Sequence, residues 1–296
     1  MDYLKIRQKP AQFKALTSLT IEEFDELAPL FEAQWLDFIQ QYTLDGQRRS
    51  RRYKPVNETQ LPTPAHKLFF VLIYEKTNPL QEYHAASFDI DVSMTNKWIH
   101  VLSPLLNKAT QTWQASRQEI MTTEQELVVD VTERPIQRGL YEQKQYYSGK
   151  KKTHTVKNLV LCTTLGLIVF LGQTALGRIH DKRLAEAIVL KKGTRILADL
   201  GFLGWRPIGS AVSLPHKKPK GKELTDAQKE ANTAHSSRRV IVEHVFSSVK
   251  IMRIVKDRNR NYRFGYRDLV FQTACSLHNY RWTKRKHFEQ KLEKIG

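Results

Sequence analysis

The stretch Glu126-Leu-Val-Val-Asp-Val-Thr-Glu-Arg-Pro135 decides how the rest of the chain is placed. Its apolar, β-branched residues predict a strand, yet Asp130 stands in the middle of the run. An ionised carboxylate buried without a partner costs several kcal/mol or is forced to neutralise. Asp130 therefore needs a cation, a metal ion or a hydrogen-bonding site beside it. The alternative is the solvent face of a half-exposed strand, which alternation along the strand also allows.

The totals narrow the field. At 296 residues and 41% hydrophobic content the chain can bury a full core, in two domains. The longest apolar run, Asn158 to Gly172, is broken by Thr163, Thr164 and Gly166 and is too short to span a bilayer. The N-terminus has no signal-peptide pattern. These features predict a soluble, cytoplasmic protein without a membrane partner. Cys162 and Cys275 both lie among apolar neighbours, which fits reduced core thiols and argues against a disulfide framework or a cysteine metal site. The formal net charge of +18 points to a polyanionic partner, with nucleic acid favoured over membrane.

Upstream of the opening stretch the pattern is helical. Thr20-Ile-Glu-Glu23 has capping-box spacing, and Phe24, Leu27, Phe31 and Trp35 follow at helical intervals. A loop from Gln41 to Pro64 carries Arg48-Arg-Ser-Arg-Arg52, read as a solvated cluster, with phosphate contact as the alternative. Helices are predicted over Lys67 to Tyr74 and Leu80 to Phe88. After a turn at Asp89-Ile-Asp-Val92, Ser93 is expected to cap a third helix. Trp98, Val101, Leu102 and Leu105 form its apolar stripe, while Thr95, Asn96, Lys97 and His100 face elsewhere. This is the outline of a helix-turn-helix over about residues 64–106, whose last helix would present those polar residues to a major groove. Three-helix units also occur without DNA, and Pro104 is expected to end or kink the helix.

Downstream, after a polar connector from Lys108 to Thr123, strands are predicted. His154 to Cys162 and Gly166 to Gln173 form a hairpin, Asp181 to Lys192 a helix, and Thr194 to Phe202 a short strand that meets a second carboxylate, Asp199. A further strand covers Ala211 to Leu214. Two helices are expected over Leu224 to Ser236 and Ser237 to Val255, the second with Glu243 at the rim of its core stripe and Arg239 and Lys250 close by in rotation. An intrahelical Glu–Arg pair would explain Glu243 and Arg239 without any site. If the first and later strands are neighbours in one mixed sheet, however, the three carboxylates can converge, because ligand sites gather at strand ends. Three carboxylates without His or Cys are hard ligands suited to Mg²⁺ or Mn²⁺. Two such ions stabilise the attacking and leaving oxygens of an in-line phosphodiester displacement.

A set of motifs carries a family resemblance. Val128-Val-Asp-Val-Thr-Glu-Arg-Pro-Ile-Gln-Arg138 is followed by Tyr146-Tyr-Ser-Gly-Lys-Lys-Lys-Thr-His154 and Asp199-Leu-Gly-Phe202. Lys218-Pro-Lys-Gly221 with Leu224-Thr225 comes next, and the series closes with Arg239, Glu243 and Lys250. In this order, over about half the chain, it resembles the DDE-type transposases of bacterial insertion sequences. The likeness is to the insertion-sequence-five-like group of DDE-superfamily endonucleases. Ser236 and Leu200 depart from the family pattern, in which relatives carry Tyr and often Lys.

The resemblance implies an α/β fold with a ribonuclease-H-like mixed-sheet catalytic core preceded by a helical helix-turn-helix region. The corresponding domains are 1–110, 120–285 and a basic tail, 286–296. It implies that Asp130, Asp199 and Glu243 are the catalytic residues and hold two Mg²⁺ or Mn²⁺ ions, with Asp181 the rival for the second place. Arg239 and Lys250 would organise the glutamate and bind DNA. Lys150 and Lys151, with Thr95, Asn96, Lys97 and His100, complete the expected DNA contacts. The implied activity is transposition: binding the element's terminal inverted repeats in double-stranded DNA, hydrolysing phosphodiester bonds there and joining the 3′-hydroxyls to target DNA. A homodimer at the bacterial nucleoid would be the reactive unit. Two other activities stay open, an inactive or domesticated DNA-binding derivative and a stand-alone nuclease of the same fold.

Overall fold

The computed structural model describes residues 1–54, 60–117, 126–139 and 143–285. The basic tail, 286–296, and most of the connector after residue 117 lie outside the described residues. In chain order the elements are helices α1 (Tyr3–Arg7), α2 (Pro10–Thr17), α3 (Ile21–Gln41), α4 (Pro64–Thr77), α5 (Gln81–Phe88) and α6 (Val92–Ala109). Strand β1 (Glu126–Pro135), helix α7 (Gln143–Tyr146) and strands β2 (Tyr147–Ser148), β3 (Thr153–Thr163), β4 (Ile168–Leu171) and β5 (Ala175–Leu176) follow. Helix α8 (Asp181–Ala185), strands β6 (Arg195–Leu197) and β7 (Ala211–Ser213), and helices α9 (Asp226–Val249), α10 (Arg253–Lys256) and α11 (Tyr266–Lys284) complete them.

The chain divides into two units. The first is helical and comprises Met1–Gln114, Lys250–Asp257 and Arg263–Lys284. Its α3 starts as the sequence predicts: the Thr20 hydroxyl accepts from the Glu23 amide while the Glu23 carboxylate accepts from the Thr20 amide. Phe24, Leu27, Phe31 and Trp35 are all buried. α5, a turn and α6 form the helix-turn-helix, but α6 is capped by Asp91, whose carboxylate accepts from the amides of Ser93 and Met94. Pro104 does not stop α6, which continues to Ala109. The burial of Val101, Leu102, Leu105 and Leu106 around it outweighs the ~3 kcal/mol that an interior proline costs.

The second unit, Ala115–Val249 with Arg258–Tyr262, is built on a mixed sheet of order β2-β3-β1-β6-β7, with β4 and β5 also pairing β3. β1 runs antiparallel to β3 and parallel to β6, which runs parallel to β7. This is the mixed sheet that a ribonuclease-H-like core requires, with the opening stretch at its centre. Alternation gives β1 two faces. Leu127 and Val129, with Val131 beside them, join Leu159, Leu161, Phe170, Ile196 and Phe202 in one apolar cluster. Val128, Asp130 and Thr132 belong to the opposite face.

Two expected elements differ. The helix from Asp181 ends at Ala185 instead of running to Lys192, and the chain turns so that Ile188 and Leu190 pack into the cluster. The two helices predicted around Ser236–Ser237 are one, α9, in which the Ser237 hydroxyl bonds back to the Thr233 carbonyl and so satisfies itself inside the helix. No helix among the described residues is long and apolar enough to cross a membrane.

Candidate active site

The parallel ladder between β1 and β6 pairs Leu127 with Ile196 and Val128 with Leu197. Carried two residues further, that register sets Asp199 opposite Asp130. Asp199 lies just past the strand end, where its carboxylate accepts from the Gly201 amide at 2.9 Å and caps a single 3-10 turn, Leu200–Phe202. The Asp130 side chain is 26% exposed and accepts from the Val131 amide at 2.7 Å. Burial pushes its carboxyl up to about 6; the Val131 amide and the Arg239 guanidinium pull against that shift, and the neighbouring Asp199 and Asp181 add to it. Arg239, on α9, stands 4.0 Å away and is the cation facing Asp130. Asp130 is thus a desolvated acid with two acidic neighbours and one distant counter-charge.

Glu243 lies one helical turn beyond Arg239 on α9, on the same side of the helix, and its side chain is exposed. Among the described residues no group of three His, Cys, Asp or Glu side chains stands close enough to hold an ion. The register and the electrostatics of Asp130 bring Asp130 and Asp199 together, and Glu243 is not among the acids that act on Asp130. The pair still fits a divalent cation, because two hard oxygen donors stand at matching register on neighbouring segments of the sheet, and a cation there would relieve the burial and the like charge that push Asp130 up.

Asp181, the rival second acid, is already engaged. Its Oδ1 takes a 2.9 Å ion pair from Lys157 of β3, whose ammonium also reaches Glu133 at 3.2 Å and the Ile179 carbonyl at 2.9 Å. Lys157 sits directly across the ladder from Glu133 and is 10% exposed. Burial lowers the lysine, and Asp181 and Glu133 together outweigh that, so it is raised and firmly charged. The sequence reasoning missed this lysine. The signal was present, because an ionisable residue inside the apolar run Val156-Lys-Asn-Leu-Val160 meets the same criterion as Asp130.

The expected DNA contacts separate. Lys150 and Lys151 are exposed on the turn between β2 and β3. Lys250 is half-buried. In α6, Thr95 is completely buried, so its expected place at the groove is corrected to core packing. Asn96 donates to Gln81, and Lys97 pairs with Asp45 at 2.7 Å. His100 lines, with Asn96 and Lys97, an open cleft of about 540 Å³ that includes Tyr42, Lys108 and Arg263.

Residues 129–279 match the family model described as DDE superfamily endonuclease. That span covers half the chain and contains all three carboxylates. The chain belongs to the DDE endonuclease superfamily. It is 39% identical over 166 residues to the "Probable transposase for insertion sequence element IS702" of Microchaete diplosiphon, covering 54% of this chain and 59% of that relative. It is 25% identical over 241 residues to the "Putative transposase for insertion sequence element IS112" of Streptomyces albus G, across 80% of this chain and 86% of the relative. The chain therefore spans a little over half the length of the first of these. No solved structure matches it. This DDE transposase domain thus combines a family-level sequence match with a mixed sheet that sets two of its acids side by side.

Proposed function

We propose that this DDE protein is an insertion-sequence transposase that acts on double-stranded DNA. It binds the terminal inverted repeats of its element, cleaves phosphodiester bonds there and joins the freed 3′-hydroxyls to target DNA, working as a homodimer at the bacterial nucleoid. Asp130, Asp199 and Glu243 are the catalytic acids, and Asp130 and Asp199 hold the metal, with Glu243 completing the set when DNA is bound. The bound Mg²⁺ or Mn²⁺ ions would supply charge stabilisation at the attacking and leaving oxygens. Arg239 orients Asp130, and Lys150, Lys151 and Lys250 hold the DNA backbone. The domains follow as a helical region, 1–110, with the helix-turn-helix, a catalytic region, 120–285, and the tail, 286–296.

The single observation that carries this reading is the register of β1 and β6, which supports Asp130 and Asp199 as one site. The exposed place of Glu243 favours a second reading, a DNA-binding derivative without catalysis. The experiment is incubation of the protein with DNA carrying the element's ends and Mg²⁺ or Mn²⁺, scoring nicks and joined products. Cleavage at the repeats supports the transposase, cleavage without joining supports a nuclease, and binding without cleavage supports the derivative.

The lysines allow a separate check. Each phosphate contact contributes about −0.9 to the slope of log affinity against log salt on duplex DNA. Replacing Lys150 and Lys151 together with alanine is expected to flatten that slope by roughly 1 to 2 and to weaken binding to all sequences alike. An unchanged slope, measured by fluorescence anisotropy between low and physiological salt, removes these two residues from the interface.

A further inference from the structure

We propose that Lys157 is a positioning residue for Asp199, acting through Asp181 and the turn at Gly201. The inference rests on the reading that Asp130 and Asp199 hold the metal.

Asp199 follows a strand of three residues and is not itself paired in the ladder. Something else has to fix where its carboxylate stands. The turn after it is crowded from one side. A Cβ at Gly201 would stand 2.9 Å from Asp199 Oδ1 and 3.6 Å from Asp181 Oδ2, so both carboxylates close over this residue. Asp199 Oδ1 already accepts from the Gly201 amide. Asp181 and Asp199 thus flank the same glycine, and α8, which begins at Asp181, packs against the turn that Asp199 caps.

Lys157 in turn sets Asp181. It is anchored in the long β3 strand, cross-paired with Glu133, and it reaches both the Ile179 carbonyl and the Asp181 carboxylate at the start of α8. Two of its contacts thus hold the chain segment 179–181 against the sheet, and α8 packs against the 3-10 turn that Asp199 caps. The path runs from the sheet through Lys157, Asp181 and Gly201 to Asp199. Because Lys157 already pairs with Asp181, the geometry also separates the two aspartates by role: Asp199 stands beside Asp130, and Asp181 steers.

The test is Mn²⁺ binding by the full chain, followed by calorimetry or by the loss of free-ion electron paramagnetic resonance signal, with circular dichroism to confirm folding. Outer partners of metal ligands typically account for about 10- to 100-fold in affinity. Lys157→Met is expected to weaken Mn²⁺ at least about tenfold. Gly201→Ala, which leaves every charge in place, is expected to weaken it in the same direction, and it serves if Lys157→Met does not fold. Asp199→Asn should abolish tight binding, and Asp181→Asn should lose less than Asp199→Asn. If Asp199→Asn loses Mn²⁺ while Lys157→Met or Gly201→Ala folds and binds as the parent does, the positioning role is overturned and the ligand assignment stands. If Asp199→Asn binds as the parent does, the ligand assignment fails and this inference falls with it.

Discussion

Asp130→Asn is expected to abolish DNA cleavage, by at least about a thousandfold or ~4 kcal/mol of transition-state stabilisation, while making the metal-free protein more resistant to heat. The two effects share one cause. Asp130 is a largely buried carboxylate that faces Asp199 and Asp181, with Arg239 4.0 Å away as its counter-charge. Burying an ionised group in such company works against folding, and asparagine keeps the shape without the charge. On the proposed reading Asp130 holds the metal and must keep that charge, so function and stability would pull in opposite directions at this position. A gain of ~1 kcal/mol corresponds to roughly 2–4 °C in a chain of this size. Differential scanning calorimetry in chelator, paired with the cleavage assay, checks both halves. A variant that still cleaves, or that melts below the parent, contradicts the account of this residue.

The second large effect is on the pH dependence of stability. Glu75 in α4 is fully buried, both of its carboxylate oxygens are desolvated, and burial pushes its carboxyl up to about 8 against the opposing influence of the Ser103 hydroxyl. An acid raised in the folded state contributes stability that is complete below its unfolded value near 4.5 and is lost as pH climbs through 8. Each unit of that window is worth about 1.4 kcal/mol, so the residue should cost the parent on the order of 3 kcal/mol between pH 5 and pH 8. Glu75→Gln is neutral throughout and removes this slope. His84, which burial lowers to about 4, acts below its ordinary value and in both proteins alike, so it cancels in the comparison. Urea unfolding at several pH values measures the difference. Parallel curves for parent and variant would show that Glu75 is ionised in the fold.

Residue by residue, the sequence went further with the sheet than with the site. The apolar, β-branched run of β1 and the apolar runs of β3 and β4 were legible because central strands bury residues on both faces, so the pattern has little freedom. Asp130 and Asp199 were legible for the related reason that a carboxylate interrupting such runs needs explaining. Lys157 and Glu75 meet the same criterion, but their partners come from register and from helix packing, which no local pattern encodes. Helix α6 does not stop at Pro104 and α9 does not break at Ser236–Ser237, because local helix penalties are small beside the burial of a long apolar face. Thr95 shows the converse: its polar type suggested a surface contact, and its position one turn before Ile99 placed it in the core. Glu243 was chosen from its place in a motif, and its distance from the aspartates depends on where α9 lies over the sheet.

The most direct test of the central claim is a crystal structure of the protein with its end DNA and Mn²⁺, in which anomalous scattering locates the metal. The account predicts that Asp130 and Asp199 would both hold the ion, with Glu243 brought to the same site and Asp181 still paired with Lys157. An ion held by Asp181 in place of Asp199, or Asp130 left without metal in a complex that cleaves, would contradict it.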